Sequence, residues 1–107
     1  MSSKSLTPTN IRVDRKQSLT HTRIVSTFTL GFEHEITYER HDRVIGGDII
    51  IKLDGQELVR DTLYSLAIGD YKKHFDIEGE PIGLIRITGF GIFFVRVYIN
   101  GVPVFRT

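Results

Sequence analysis

Hydrophobic and polar residues alternate along most of this chain, and the clearest stretch is Asp48-Ile49-Ile50-Ile51-Lys52-Leu53-Asp54-Gly55-Gln56-Glu57-Leu58-Val59. Two apolar runs meet at Asp54-Gly55. A type I′ turn requires positive φ at both central residues, which glycine adopts freely and aspartate tolerates, so the pattern predicts a β-hairpin. The chain ends on the same chemistry: Phe93 to Ile99 meets Asn100-Gly101 and returns as Val102-Pro103-Val104-Phe105. Proline cannot donate to a strand ladder, so Pro103 places the last strand at a sheet edge.

Between residues 24 and 39 the alternation has period two. Ile24, Phe28, Leu30, Phe32, His34, Ile36 and Tyr38 fall on one face, and Thr27, Thr29, Glu33, Glu35, Thr37 and Glu39 on the other. One face is expected in the core and the other in water, with the glutamates as a solubilising stripe. Gly31 interrupts a run too long for one strand and predicts a bulge, bend or tight turn. A polar loop ending in Gly46-Gly47 then leads into the first hairpin, where Ile49, Ile51 and Leu53 share a face and Ile50 lies opposite, implying cover on both sides. Residues 60–73 read as a further strand, His74 to Glu78 as another, Gly79-Glu80-Pro81 as a turn and Ile82 to Thr88 as a strand. About seven or eight short strands without a convincing helix describe an all-β protein: an antiparallel β-sandwich, with a small β-barrel as the alternative.

Composition adds boundaries. The 107 residues make one domain, without cysteine and so without disulfides or thiolate metal sites, which fits a reducing, cytoplasmic setting. No apolar run is long enough to span a membrane as a helix, and residues 1–8 lack a signal-peptide core. Residues 1–22, rich in Ser, Thr, Lys and Arg, read as a flexible basic tail with one short strand at Asn10-Ile11-Arg12-Val13, leaving 23–107 as the β domain. Arg12, Arg15 and Lys16 are the tail's candidate contacts for an acidic partner. Residues 1–23 carry a net charge of +4 and the remainder −3. That distribution argues against a nucleic-acid partner, since such binders usually show a basic face on the folded body.

Candidate catalytic chemistry is sparse, and no catalytic, cofactor or metal residue is assigned. His34 and His41 are an odd number of positions apart and would face opposite ways in one regular strand. His34, among apolar positions, reads as a hydrogen-bonded, partly buried imidazole, while His21 and His74 have no evident partner. Arg60 between Glu57 and Asp61 suggests ordinary surface pairing. Gly89-Phe90-Gly91 lacks the lysine and the helix of a phosphate loop. The aromatics are the better lead: Phe93 falls with Val95, Val97 and Ile99, whereas Phe94 falls with Arg96 and Tyr98. Phe94, Arg96 and Tyr98 therefore form a mixed aromatic and basic face of the kind enriched at interaction surfaces.

Residues 34 to 105 resemble the Fas apoptosis inhibitory molecule family. The likeness rests on His34-Glu35-Ile36-Thr37-Tyr38-Glu39, Ile49 to Leu53 with Asp54-Gly55-Gln56-Glu57, Arg60, Leu66, Gly69, Phe75, Ile85-Arg86-Ile87, Gly89-Phe90 and Tyr98-Ile99-Asn100-Gly101. The family looks like a pair of small antiparallel β domains without catalytic residues, associated with protection from death-receptor signalling and from protein aggregation; this chain has room for one such domain. The resemblance implies a non-enzymatic interaction module, with unfolded or aggregated proteins among its partners. The sequence thus leads to a protein-binding β domain that acts through a sheet face or edge, with room for a homo-oligomer. A barrel around an apolar small molecule comes second, and an enzyme using His34 with a carboxylate last.

Overall fold

The computed structural model describes residues 7–42, 47–62, 71–88 and 94–107. The strands are β1 (Thr9–Gln17), β2 (His21–Leu30), β3 (Phe32–Asp42), β4 (Gly47–Leu53), β5 (Gln56–Thr62), β6 (Tyr71–Ile77), β7 (Glu80–Thr88), β8 (Phe94–Ile99) and β9 (Val102–Arg106). All neighbours are antiparallel. The first five strands form one meandering sheet and the last four another, each in chain order. The two sheets stack as an open β-sandwich, so the barrel alternative falls. Instead of enclosing a ligand chamber, the sheets fill the space between them with Ile24, Phe28, Leu30, Ile36, Tyr38, Ile49, Ile51, Val59, Phe75, Ile77, Ile85, Ile87, Val95, Val97, Ile99, Val104 and Phe105.

Turn chemistry acts where the sequence places it. Asp54 and Gly55 have φ of 50° and 84°, and Asn100 and Gly101 have 49° and 82°, the positive pairs of type I′ turns. Gly31, with φ 77°, alone separates β2 from β3, so residues equidistant from it pair, from Leu30↔Phe32 out to His21↔His41. One turn is displaced from its expected place. The bend between β6 and β7 is centred on Glu78-Gly79 (φ 53° and 79°), and Glu80 and Pro81 already belong to β7.

Burial departs from expectation at Phe32, Ile50 and Thr37, the last only 7% exposed although it alternates with the wet glutamates. Phe32 is 73% exposed, because it starts β3 beside the Gly31 bend, past the reach of the facing sheet. Ile50 is only half-buried, lying on the outer face between Glu39 and Arg60. The stretch read as a tail contains a nine-residue strand, β1, which takes in the short strand expected at Asn10-Ile11-Arg12-Val13 and pairs with β2 along most of its length. Every residue of β1 is exposed, so it lacks the buried alternation by which a strand announces itself. The calls on residues 63–70, on Gly46, on Phe93 and on Gly89-Phe90-Gly91 lie outside the described residues.

The sheets are tied at both margins. Ser26 on β2 is fully buried and donates its hydroxyl to the carbonyl of Val104 on β9. Tyr38 packs against Phe105 with ring centroids 5.4 Å apart, and at the other margin Lys73 Nζ donates to the Leu58 carbonyl at 2.6 Å. Four strands thus face β2 to β5, and β1 overhangs. Its inward residue Val13 remains 46% exposed, and its neighbour Ile11 39%.

Candidate functional site

The outer face of the four-stranded sheet concentrates the features that the sequence singled out. Val95, Val97 and Ile99 are fully buried, so Phe94, Arg96 and Tyr98 point the other way, with Phe94 49% exposed. Their cross-strand neighbours supply the rest of the face. Lys72 lies opposite Arg86, Arg86 opposite Arg96, and Arg96 opposite Arg106. One lysine and three arginines therefore form a straight row across all four strands, at roughly 4.8 Å per strand. Like charges directly opposite one another disfavour a sheet. Lys72 and Arg86 engage further groups, whereas among the described residues Arg96 and Arg106 have no carboxylate partner.

Next to Arg96 along β8, Tyr98 stands between two shallow grooves. One, of about 550 Å³, includes Lys72, His74, Leu84 and Arg86. The other, of about 540 Å³, runs under the overhang of β1 and includes Ile11, Val13, Arg15, Arg96, Pro103 and Arg106. Arg15 closes its end by donating from Nη2 to the Arg106 carbonyl at 2.7 Å. The two groups of residues predicted separately, the aromatic face and the basic N-terminal contacts, thus converge in one groove through Arg15. Arg12 and Lys16 do not join them. Their register partners are Thr27 and Arg23 on the outer face of the other sheet, where Arg12 lies 3.6 Å from Glu33. Lys72, Arg86 and Arg106 escaped the sequence reading because each aligns with Arg96 only through pairing.

The glutamate stripe occupies the opposite outer face of the sandwich, with Glu33 and Glu35 exposed and Glu39 held 3.5 Å from Arg23. Net charge over the whole domain therefore says little about either face alone. Arg60 pairs with Glu57 at 2.7 Å, the surface contact its spacing implied.

His34 shows what an imidazole does in this fold. Its Nδ1 lies 2.7 Å from Asp54 Oδ2, its ring stacks on Phe28 at 5.7 Å, and Nε2 is enclosed with Glu78 Oε1 at 3.8 Å. These contacts join the β4–β5 turn to the β6–β7 turn of the other sheet. His21, without a partner in the sequence reading, lies against His41 with ring centroids 4.4 Å apart. Among the described residues no helix is long and apolar enough to cross a membrane.

Fold and surface together define an open antiparallel β-sandwich with a cationic, aromatic outer face. No family model, curated protein or solved structure matches the chain.

Proposed function

We propose that this protein is a non-enzymatic binding module that takes an extended, acidic protein segment across the outer face of its four-stranded sheet. The observation that carries the reading is the in-register row Lys72, Arg86, Arg96 and Arg106. An anionic ligand relieves the repulsion between Arg96 and Arg106, so binding draws on an unfavourable term already present in the fold. Tyr98 and Phe94 flank Arg96 along β8 and offer apolar contact at little conformational cost, as aromatics at interaction hot spots do.

The groove beneath β1 favours one class of polyanion in this reading. Ile11, Val13 and Pro103 present aliphatic surface beside Arg96 and Arg106. Alternating apolar and acidic side chains satisfy both, whereas a polynucleotide offers little aliphatic surface beyond its thymine methyls and sugar carbons. The resemblance of residues 34–105 to the Fas apoptosis inhibitory molecule family supports the same reading, since that family looks non-catalytic and associated with protection from aggregation. An unfolded or aggregating chain exposes the extended apolar and acidic segments that such a face would take.

The test is fluorescence anisotropy with a labelled peptide of alternating Glu and Val or Phe, a lysine-substituted version of it, and a single-stranded oligonucleotide of similar length. Saturable binding of the acidic peptide is expected, weakening as salt rises and falling by about tenfold or more in the Arg96→Ala/Arg106→Ala variant, a loss of roughly 1.4 kcal/mol. The melting temperature of that variant stays at or above that of the parent. Equal binding of the acidic and basic peptides, or tighter binding of the oligonucleotide, overturns the proposal.

A further inference from the structure

We infer that His21, Glu39 and His41 form a binding site for one divalent transition-metal cation of the zinc type, on the outer face of the five-stranded sheet and independent of the basic face described above. The hairpin bent at Gly31 creates the cluster. Pairing residues equidistant from that glycine sets His21 on β2 directly opposite His41 on β3. Glu39, two residues before His41 on the same strand, shares its face. One donor atom from each of the three lies within 4.8 Å of the others. The two imidazole rings are 4.4 Å apart with their planes inclined at 31°.

Two details point to a ligand rather than to a chance gathering of polar groups. His21 Nε2 is enclosed and has no hydrogen-bond partner, one of only two such side-chain atoms among the described residues. Buried polar atoms are ordinarily satisfied, and a cation would satisfy this one. Glu39 is also divided between two tasks. Its Oε1 lies 3.5 Å from Arg23 Nε, which orients the carboxylate, while its Oε2 faces His41 Nε2 at 3.9 Å. The guanidinium adds positive charge nearby, so the site is of modest affinity.

Two imidazoles and one carboxylate suit Zn²⁺, Cu²⁺, Ni²⁺ or Co²⁺, whereas Ca²⁺ and Mg²⁺ take oxygen donors. Donors around a tetrahedral Zn²⁺ at about 2.0–2.1 Å lie roughly 3.3 Å apart. Side-chain rotation of exposed His41 and half-buried Glu39 supplies the contraction from 4.8 Å that this requires. The outward-facing fourth position is left to water.

The decisive experiment is isothermal titration of the full chain with Zn²⁺ in a non-coordinating buffer. One site per chain is expected, with Kd raised on the order of tenfold or more in His21→Asn and in His41→Asn and unchanged in His74→Asn, whose residue lies on the other sheet. Because His41 is exposed, its variant keeps the fold even if substitution of the half-buried His21 does not. No saturable binding by the parent, or a Kd unaffected by His41→Asn, overturns the assignment.

Discussion

His34 Nδ1 lies 2.7 Å from Asp54 Oδ2, and the same carboxylate accepts the Glu35 amide through Oδ1 at 2.8 Å. Asp54 is thus the first residue of a type I′ turn and also the anchor of the neighbouring strand β3. Asp54→Asn keeps a residue that tolerates positive φ and can still accept the Glu35 amide. Its expected cost is therefore that of weakening one side-chain hydrogen bond, about 1 kcal/mol. Asp54→Ala loses the turn preference as well and should cost more. Urea unfolding of the two variants checks this order: no loss in Asp54→Asn would show that the contact with His34 contributes nothing, and equal losses would show that the turn preference adds nothing beyond it.

Ser26 is the buried polar link between the sheets. Ser26→Ala removes its hydroxyl and leaves the Val104 carbonyl without that donor, so a loss of about 1–3 kcal/mol is expected. Hydrogen exchange localises the effect: β9 amides should lose protection before those of β4.

Gly83 owes its place to Phe75, its partner across β6 and β7. A Cβ added there would lie 2.4 Å from two atoms of the Phe75 ring, itself buried in the core. Gly83→Ala therefore forces the ring out of its packed position, at about 1–3 kcal/mol. Pairing it with Phe75→Leu should recover part of the loss, as a double-mutant cycle in chemical denaturation would show.

Burial holds the Tyr38 hydroxyl above its usual range; Arg40 opposes the shift and Asp42 adds to it. The unfolded chain thus releases this proton near pH 10 while the folded protein retains it. The stabilising contribution is complete below about pH 10 and is lost as pH rises through the higher folded value. Tyr38→Phe should flatten the alkaline limb of the stability curve. An unchanged limb, measured by thermal melts between about pH 8 and 11, would assign it to other groups.

Arg96→Glu places a carboxylate between Arg86 and Arg106. Two like-charge pairs become two opposite-charge pairs, so the folding stability should rise by roughly 0.2–1 kcal/mol for each pair, and the melting temperature with it. Capture of an acidic peptide should be lost in the same variant. A fall in stability would mean that Arg96 already has a favourable partner in the fold.

How legible these features are depends on the range of the forces behind them. The two Asx-Gly turns and the Gly31 bend follow from backbone sterics within two or three residues, and the fold obeys them. Strand β1 is legible only at Asn10-Ile11-Arg12-Val13, and its continuation to Gln17 is hidden because those residues are exposed and polar and are held as strand by pairing with β2. The turn at Glu78-Gly79 is misread because Pro81 attracts the prediction, although glycine in the second turn position decides the geometry. His21 and His41 stand at equal distance from Gly31, so their pairing is present in the sequence for anyone who takes that glycine as the centre of a hairpin.

By itself the sequence determined the all-β class, two of the hairpin turns and which β8 side chains point outward, because turn chemistry and period-two alternation are local. Tertiary structure decided which of those side chains stand together. The register of β8 and β9 shifts between Val97 and Tyr98, and that of β6 and β7 between Phe75 and Ile77. Without these irregularities Arg96 would face Phe105 and Lys72 would face Ile85. The single-residue offsets bring Arg106 and Lys72 into line with Arg96 and turn Phe105 into the core. The same packing leaves β1 beyond the four-stranded sheet and opens the groove at Arg15. Such offsets are settled by how two sheets bury their apolar faces against each other, a balance that no local stretch of sequence contains.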